Sequence, residues 1–305
     1  MAVNFRNANG QPSTVQNIYT TLHTVLILAG WELVYADADA IGTGTAANPA
    51  WSKAPTTGAA AGLVIYRMPA MSGFATRWCV EIKPMWATSA TLQKVQFRLG
   101  TDATAGGVLS SPGSTIEAGS GNNSGGNNTS STEWYVAAYE HGLLVALPGA
   151  AGAVGYLGAI ERRRRLDDTI LDDLTAFLCS SNASGVAFGA SSNGWSSGST
   201  RTRLAQGGEI DAANWVVMKT GANAVPSTLN RMDGATGIPA GPFSVSGGMA
   251  GFPRLFMLVA PNDAPPNVDV TRFVDGSNHA YLPATSLSST FLSDAAQYRV
   301  CIAKD

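Results

Sequence analysis

Charge is what this chain has least of. Asp, Glu, Lys and Arg make up 13% of its 305 residues, about half the share of an ordinary soluble domain. Lys plus Arg (19) nearly balance Asp plus Glu (21), leaving a formal net charge of −2. No global field is present to draw nucleic acid or an anionic membrane surface, so neither is expected as a partner. The three cysteines, Cys79, Cys179 and Cys301, are far apart and set among apolar residues. They have neither CxxC metal spacing nor the pairing of a disulfide framework, and read as buried free thiols of a reducing compartment. No stretch approaches the roughly 20 apolar residues of a membrane span. The start, MAVNFRNANGQPST, lacks the basic n-region and apolar h-region of a secretory signal. Few charges and many small residues leave much neutral surface, which suits a subunit packed into an assembly.

Catalytic signatures are equally scarce. There is no Walker loop, no dinucleotide fingerprint and no HExxH. Of the approaches to a GxSxG elbow, GASSNG (189–194) lacks the spacing, and GWSSGS (194–199), which has it, lies in a Gly/Ser-rich turn without the strand–turn–helix setting. Only three histidines are present: His23, His141 and His279. Asp37 and Asp39 lack the rest of an oxygen-rich calcium cage and read as solvated loop residues. Spacing alone does not exclude an apposed carboxylate pair, for which Glu81, Glu140, Glu161 and Asp211 are the candidates. The expectation is a non-enzymatic protein with no catalytic, cofactor-binding or metal residues and no cofactor.

What the chain does contain is strand. The stretch from Trp134 to Glu161 reads as a meander: WYVAAY (134–139), LLVAL (143–147) and AVGYLGAI (153–160). Gly142 and Gly149 fall in its turns, where positive φ is often needed. With little polar alternation, both faces should be covered, by a second sheet or by neighbouring subunits. One helix is expected over 14–29, with Val15, Ile18, Tyr19, Leu22, Val25, Leu26 and Ala29 on one stripe. Ser13 would cap it and Gly30 stop it, with His23 at the border of the stripe. Further strands are expected at 31–37, 63–68, 77–86, 92–100, 174–181, 185–192, 214–221, 254–261, 279–283 and 297–305. Trp78, Val80 and Ile82 alternate with Arg77, Cys79, Glu81 and Lys83, as in a sheet with one wetter face.

The fold class that follows is mainly β: an antiparallel β-sandwich or meander with one N-terminal amphipathic helix. Residues 1–30 form an N-terminal arm and helix, and 31–305 a β-rich body. Within the body, 101–133 is Gly/Ser/Asn/Thr-rich and reads as a flexible loop. It could be an arm threading a neighbour, a receptor-facing tip, or an insertion between strands. Two other features bear on partners. Arg162, Arg163, Arg164 and Arg165 form a basic block neutralised by Asp167, Asp168, Asp172 and Asp173. Without further Lys/Arg and interleaved aromatics it is not a nucleic-acid patch; local or inter-subunit ion pairing is expected, and Arg162–Arg165 with Asp167 and Asp168 are the candidate interface. The 7 tryptophans, several in turns (Trp51, Trp195), are either core and interface anchors or sugar-stacking platforms.

The order of elements resembles a group of bacteriophage virion structural proteins of the tail, baseplate or fibre-attachment region. Four stretches carry the likeness. They are the helix running into Gly30-Trp31-Glu32-Leu33, and LVIYRM followed by RWCVEI. Next come WYVAAYEHGLLVAL with GYLGAIE, then Phe273-Val274-Asp275-Gly276 with Tyr281-Leu282-Pro283. The chain differs from the pattern in the aliphatic Leu143, Leu144 and Val145 and in the Arg162–Arg165 block. The resemblance implies a structural subunit of a virion, assembled in the host cytoplasm as a homo-oligomer with other virion proteins. It implies no catalytic residues. Two alternatives remain: a capsid decoration or head-fibre protein, and a receptor-binding, lectin-like tail module that meets a host surface receptor.

Overall fold

The structure, a computed structural model, describes residues 3–7, 14–53, 56, 59–88, 91–113, 115–119, 134–147, 156–164 and 169–180. Towards the C-terminus it describes 201–204, 209–210, 238–239, 243–245, 248–251, 254–259, 268–274, 277–284 and 299–304. The chain opens with strand β1 (Val3–Asn7), helix α1 (Val15–Leu28), strand β2 (Glu32–Ala36) and a one-turn helix α2 (Ala38–Ile41). Strands β3 (Val64–Arg67), β4 (Cys79–Thr88) and β5 (Thr91–Gly100) follow, then β6 (Asp102–Ala103), β7 (Leu109–Ser110) and β8 (Ile116–Gly119). The meander is β9 (Trp134–Tyr139), β10 (Gly142–Leu147) and β11 (Tyr156–Arg164), extended by β12 (Ile170–Ser180), β13 (Arg201–Leu204) and β14 (Glu209–Ile210). Last come β15 (Ile238–Pro239), β16 (Phe243–Val245), β17 (Gly248–Gly251), β18 (Phe256–Val259), β19 (Val270–Val274), β20 (Ser277–Ala284) and β21 (Arg299–Ala303). The protein is mainly β, its sheets antiparallel, with one long N-terminal helix.

Three sheets matter. The central sheet has the order β1-β9-β10-β11-β12-β13-β14, the N-terminal sheet β2-β3-β4-β5-β8, and the C-terminal sheet β15-β18-β21-β20-β19. Strand alternation decides what meets what. Trp134, Val136 and Ala138 of β9 and Leu143 and Val145 of β10 join one apolar core with Val64, Tyr66, Val80, Ile82, Val95 and Phe97 of the N-terminal sheet. The stripe of α1 (Val15, Ile18, Tyr19, Leu22, Val25, Leu26) completes that core. The alternate residues Tyr135, Ala137, Tyr139, Leu144 and Ala146 are also buried. Both faces of the meander are therefore covered within one chain, and neither waits for a neighbouring subunit.

Local chemistry explains the element ends. The first residue of α1 is preceded by Thr14, whose hydroxyl accepts from Asn17 N at 3.1 Å; the cap is Thr14, not Ser13. Gly30 (φ +86°) ends the helix, its N–H on Ile27 O and that of Trp31 on Leu26 O, each at 3.0 Å. That bonding pattern is the Schellman stop, which favours glycine for its left-handed backbone. Gly142 has a different reason from the one its turn suggests. It lies outside the positive-φ set, but a Cβ there would stand 2.7 Å from Glu161 Cγ and 2.9 Å from Ile160 O. Glycine is needed for close approach of β10 and β11. Gly149 lies outside the described residues, as do 185–192, 214–221 and Trp195.

Part of the expected loop is built. Residues 101–119 carry β6, β7 and β8, and β8 adds to β5. Ala103 and Leu109 cover Ile65 and Cys79 on the outer face of the N-terminal sheet, forming a second small core. That face was expected to be wetter; the hairpin's two apolar residues were hidden in a polar stretch. Residues 120–133 lie outside the described residues. Cys79 and Cys301 are buried and free, and burial pushes the Cys79 thiol above its ordinary value.

Candidate functional site: two buried charge junctions on β11

Arg162 and Arg164, the described side chains of the arginine block, do not share one patch. β11 continues through the block as strand to Arg164, and its register against β12 shifts between Arg162 (opposite Leu174) and Arg164 (opposite Ile170). The shift sets three residues of β12, Leu171 to Asp173, against the single Arg163 of β11, and such an irregularity locally disrupts the ladder and increases the twist. Arg162 and Arg164, which strict alternation would put on the same face, serve different junctions. Both are interior, 2% and 1% exposed. Arg163 stands at the bulge; Arg165, Asp167 and Asp168 lie outside the described residues.

The first junction faces the N-terminal sheet. Arg162 Nη1 donates to Asp172 Oδ1 of β12, and its Nη2 donates to Thr76 O in the β3–β4 loop. Asp172 Oδ2 accepts from Ala75 N at 2.9 Å and Thr76 N at 3.0 Å. The Arg162 guanidinium lies 4.3 Å from the Phe74 ring centroid, and the buried His141 ring meets Phe74 edge-on at 5.3 Å. One carboxylate and one guanidinium thus bind the 69–78 loop to β11 and β12. This is the local form of the expected ion pairing, with Asp172 as the partner.

The sign of the Asp172 perturbation follows from these contacts. Partial burial pushes its carboxyl up, but the bond from Arg162, the Thr76 N–H, the Arg162 charge and the Ala75 N–H together hold it below the usual carboxylate value. Its stabilising contribution is complete above the unfolded value of about 4. It is lost as pH falls through the lower folded value, because the unfolded chain then binds the proton first. Asp172→Asn is expected to lower stability at neutral pH by about 1–3 kcal/mol, the worth of a charge-assisted bond. The variant's deficit should shrink at the acid end of the profile. Urea titrations at several pH values test this; a deficit that does not change with pH would contradict it.

The second junction faces the other way. Glu161 is 4% exposed and accepts from Arg254 N at 2.9 Å, Leu255 N at 3.0 Å and Tyr139 Oη at 3.1 Å. Arg254 and Leu255 lead directly into β18, so the carboxylate ties the central sheet to the C-terminal sheet. The Arg254 guanidinium lies 4.8 Å from the Tyr139 ring centroid, and its Nη2 stands 3.1 Å from His279 Nδ1. Arginine only donates, so His279 Nδ1 is the acceptor. Tyr281 Oη of β20 donates to Arg254 O at 2.7 Å. Burial pushes the Glu161 carboxyl above its ordinary value despite the Arg254 and Leu255 N–H bonds, the Arg164 charge and the Tyr139 hydroxyl.

The other expected residues are dispersed. Glu81 donates nothing to a carboxylate pair: it is bonded by Arg98, its cross-strand neighbour, at 2.6 Å. Glu140 sits in the β9–β10 turn, and Asp211 lies outside the described residues. Asp37 caps α2 by accepting from Ala40 N at 2.8 Å, and Asp39 pairs with Lys53. Among the described residues, no three of His, Cys, Asp and Glu are grouped to hold a metal ion. Trp51 is a core residue, 1% exposed and packed on Tyr19 at 6.0 Å between ring centroids, so it offers no surface on which a sugar can stack. Among the described residues no helix is long and apolar enough to cross a membrane.

Chemically, both junctions are fasteners. Arginine keeps its proton at any working pH, and Glu161 is surrounded by donors that fix it in place. Arg254, Tyr139 and the 74–76 loop were not singled out by sequence reasoning. The only signal was Arg254 standing alone before an apolar strand, a charge at a strand end that must find a partner. Compared with protein-family models and with curated proteins, the sequence matches none.

Proposed function

We propose that this chain is a non-enzymatic structural subunit of a bacteriophage virion, from the tail or baseplate region, working as a homo-oligomer beside other virion proteins. One observation supports the reading above the rest: the stretches that carry the family likeness lock into one another. Trp31 Nε1, of the Gly-Trp stretch, donates to Tyr139 O in the WYVAAY strand at 2.8 Å, 108 residues away in sequence. Tyr139 Oη in turn reaches Glu161, the last residue of GYLGAIE. Glu161 takes the N–H of Arg254, whose carbonyl takes the Tyr281 hydroxyl of Tyr-Leu-Pro. Trp78 and Val80, of RWCVEI, lie in the same core as Trp31. The likeness therefore resides in a load-carrying framework, and its polar residues are used in holding sheets together. That suits a subunit selected to keep its shape within an assembly.

The test is to purify particles of the phage that encodes the chain and measure it by quantitative mass spectrometry. Stoichiometric peptides in intact particles, with antibody labelling at the tail end, are the expected result. Absence from particles would overturn the reading, and label confined to the head would move the subunit from the tail to the capsid.

A further inference from the structure

Helix α1 reads VQNIYTTLHTVLIL and has no Asp, Glu, Lys or Arg. His23 is its one group that titrates near neutral pH. The structure puts it inside the seam between helix and sheet, 5% exposed, rather than at the border of the stripe. Its Nδ1 stands 3.0 Å from Tyr66 Oη of β3, with the two rings 6.0 Å apart. Tyr66 is itself buried, and burial holds its hydroxyl well above the ordinary value, so it stays a neutral phenol. In the neutral pair the Tyr66 O–H can donate to Nδ1. A second proton turns Nδ1 into a donor, forces Tyr66 to reverse its role, and leaves a cation in an apolar seam.

Among the described residues, no counter-charge is placed to receive it. On β3, Val64 and Tyr66 share the seam with the helix, while Arg67 bonds Glu32 and Asp102 on the outer side. On β4, Val80 and Ile82 face the helix and Glu81 is held by Arg98. On β9, Trp134, Val136 and Ala138 face it. Among the described residues, His23 has no carboxylate partner, and burial alone lowers its pKa.

We propose that protonation of His23 loosens α1 from the N-terminal sheet, making the helix a pH-sensitive element that opens while the sheets stay folded. The sign is fixed by the direction of the shift. A base whose folded value is depressed contributes stability above its unfolded value, about 6.5, and loses it as pH falls through the window below. The penalty falls on one element because the sheets are tied by junctions that His23 does not touch, and local openings are separately populated.

Hydrogen exchange followed by mass spectrometry on the full chain tests this, with rates corrected for the intrinsic pH effect. From about pH 7.5 to about pH 5.5, opening of peptides covering 18–28 should rise by roughly threefold or more, while β4 and β5 peptides stay flat. In His23→Gln, whose amide oxygen still accepts from Tyr66 but does not titrate, the helix should show no such rise. A flat wild-type helix, an equal rise in His23→Gln, or an equal rise across β4 and β5 would each overturn the proposal.

Discussion

Replacing Glu161 by alanine is expected to lower the unfolding free energy by about 3–5 kcal/mol, the range for removing one partner of a buried charge pair. The loss has a specific anatomy. Arg254 N, Leu255 N and Tyr139 Oη lose their acceptor together, in a place water does not reach. The Arg164 guanidinium loses an anion that interacts with its buried charge. Glu161→Gln keeps one acceptor oxygen and should lose less, about 1–3 kcal/mol. Urea titration measures both, and hydrogen exchange should show the extra opening concentrated in β18, β20 and β21. An alanine variant within about 0.5 kcal/mol of wild type, the range of a surface change, would show that the junction does not hold the sheets.

The same residue sets a pH slope. Its folded carboxyl lies above the ordinary value, because burial outweighs the donors around it. As pH falls towards the ordinary carboxylate range, the folded chain therefore takes up this proton before the unfolded chain does. Stability contributed at this position grows in that window, opposite in sign to Asp172. Glu161→Ala should lack the increment.

Trp51→Ala is expected to cost a similar amount, about 3–5 kcal/mol, as a large aromatic removed from a packed core. Trp51 is seated twice over. Its ring packs on Tyr19 of α1, and its backbone N–H donates to Ala40 O at 2.9 Å while its own φ is +45°. A non-glycine residue at positive φ persists only where surrounding contacts over-determine it. A tryptophan displayed for sugar would behave differently, its truncation leaving stability within about ±0.5 kcal/mol. Chemical denaturation separates the two, and an unchanged midpoint would return Trp51 to the surface.

Much of the fold was legible because its signals are local. The α1 stripe, Gly30, and the alternation of Trp78, Val80 and Ile82 are one-dimensional patterns with one-dimensional causes. The failures also have causes. Ser13 and Thr14 are equally good caps on paper, and only the bond to Asn17 separates them. Ala103 and Leu109 carried no periodicity because two-residue strands are too short to show any. His23 looked peripheral because its partner, Tyr66, is 43 residues away.

The Arg162–Arg165 block is the sharpest case. As a sequence it is four charges that need neutralising, and for Arg162 the structure shows pairing with a nearby aspartate, Asp172. Its direction was not available there. Across the register shift between them, Arg162 meets Asp172, Thr76 and Phe74, and Arg164 interacts with Tyr139 and Glu161. Composition, alternation and caps determined that the chain is mainly β with one N-terminal helix and a strongly apolar meander. Tertiary structure alone decided that both faces of that meander are covered within one chain, and that Glu161, Arg162 and Arg164 beside it are internal. A buried charge is placed by partners brought together from 86 to 94 residues away, and no local pattern records that distance.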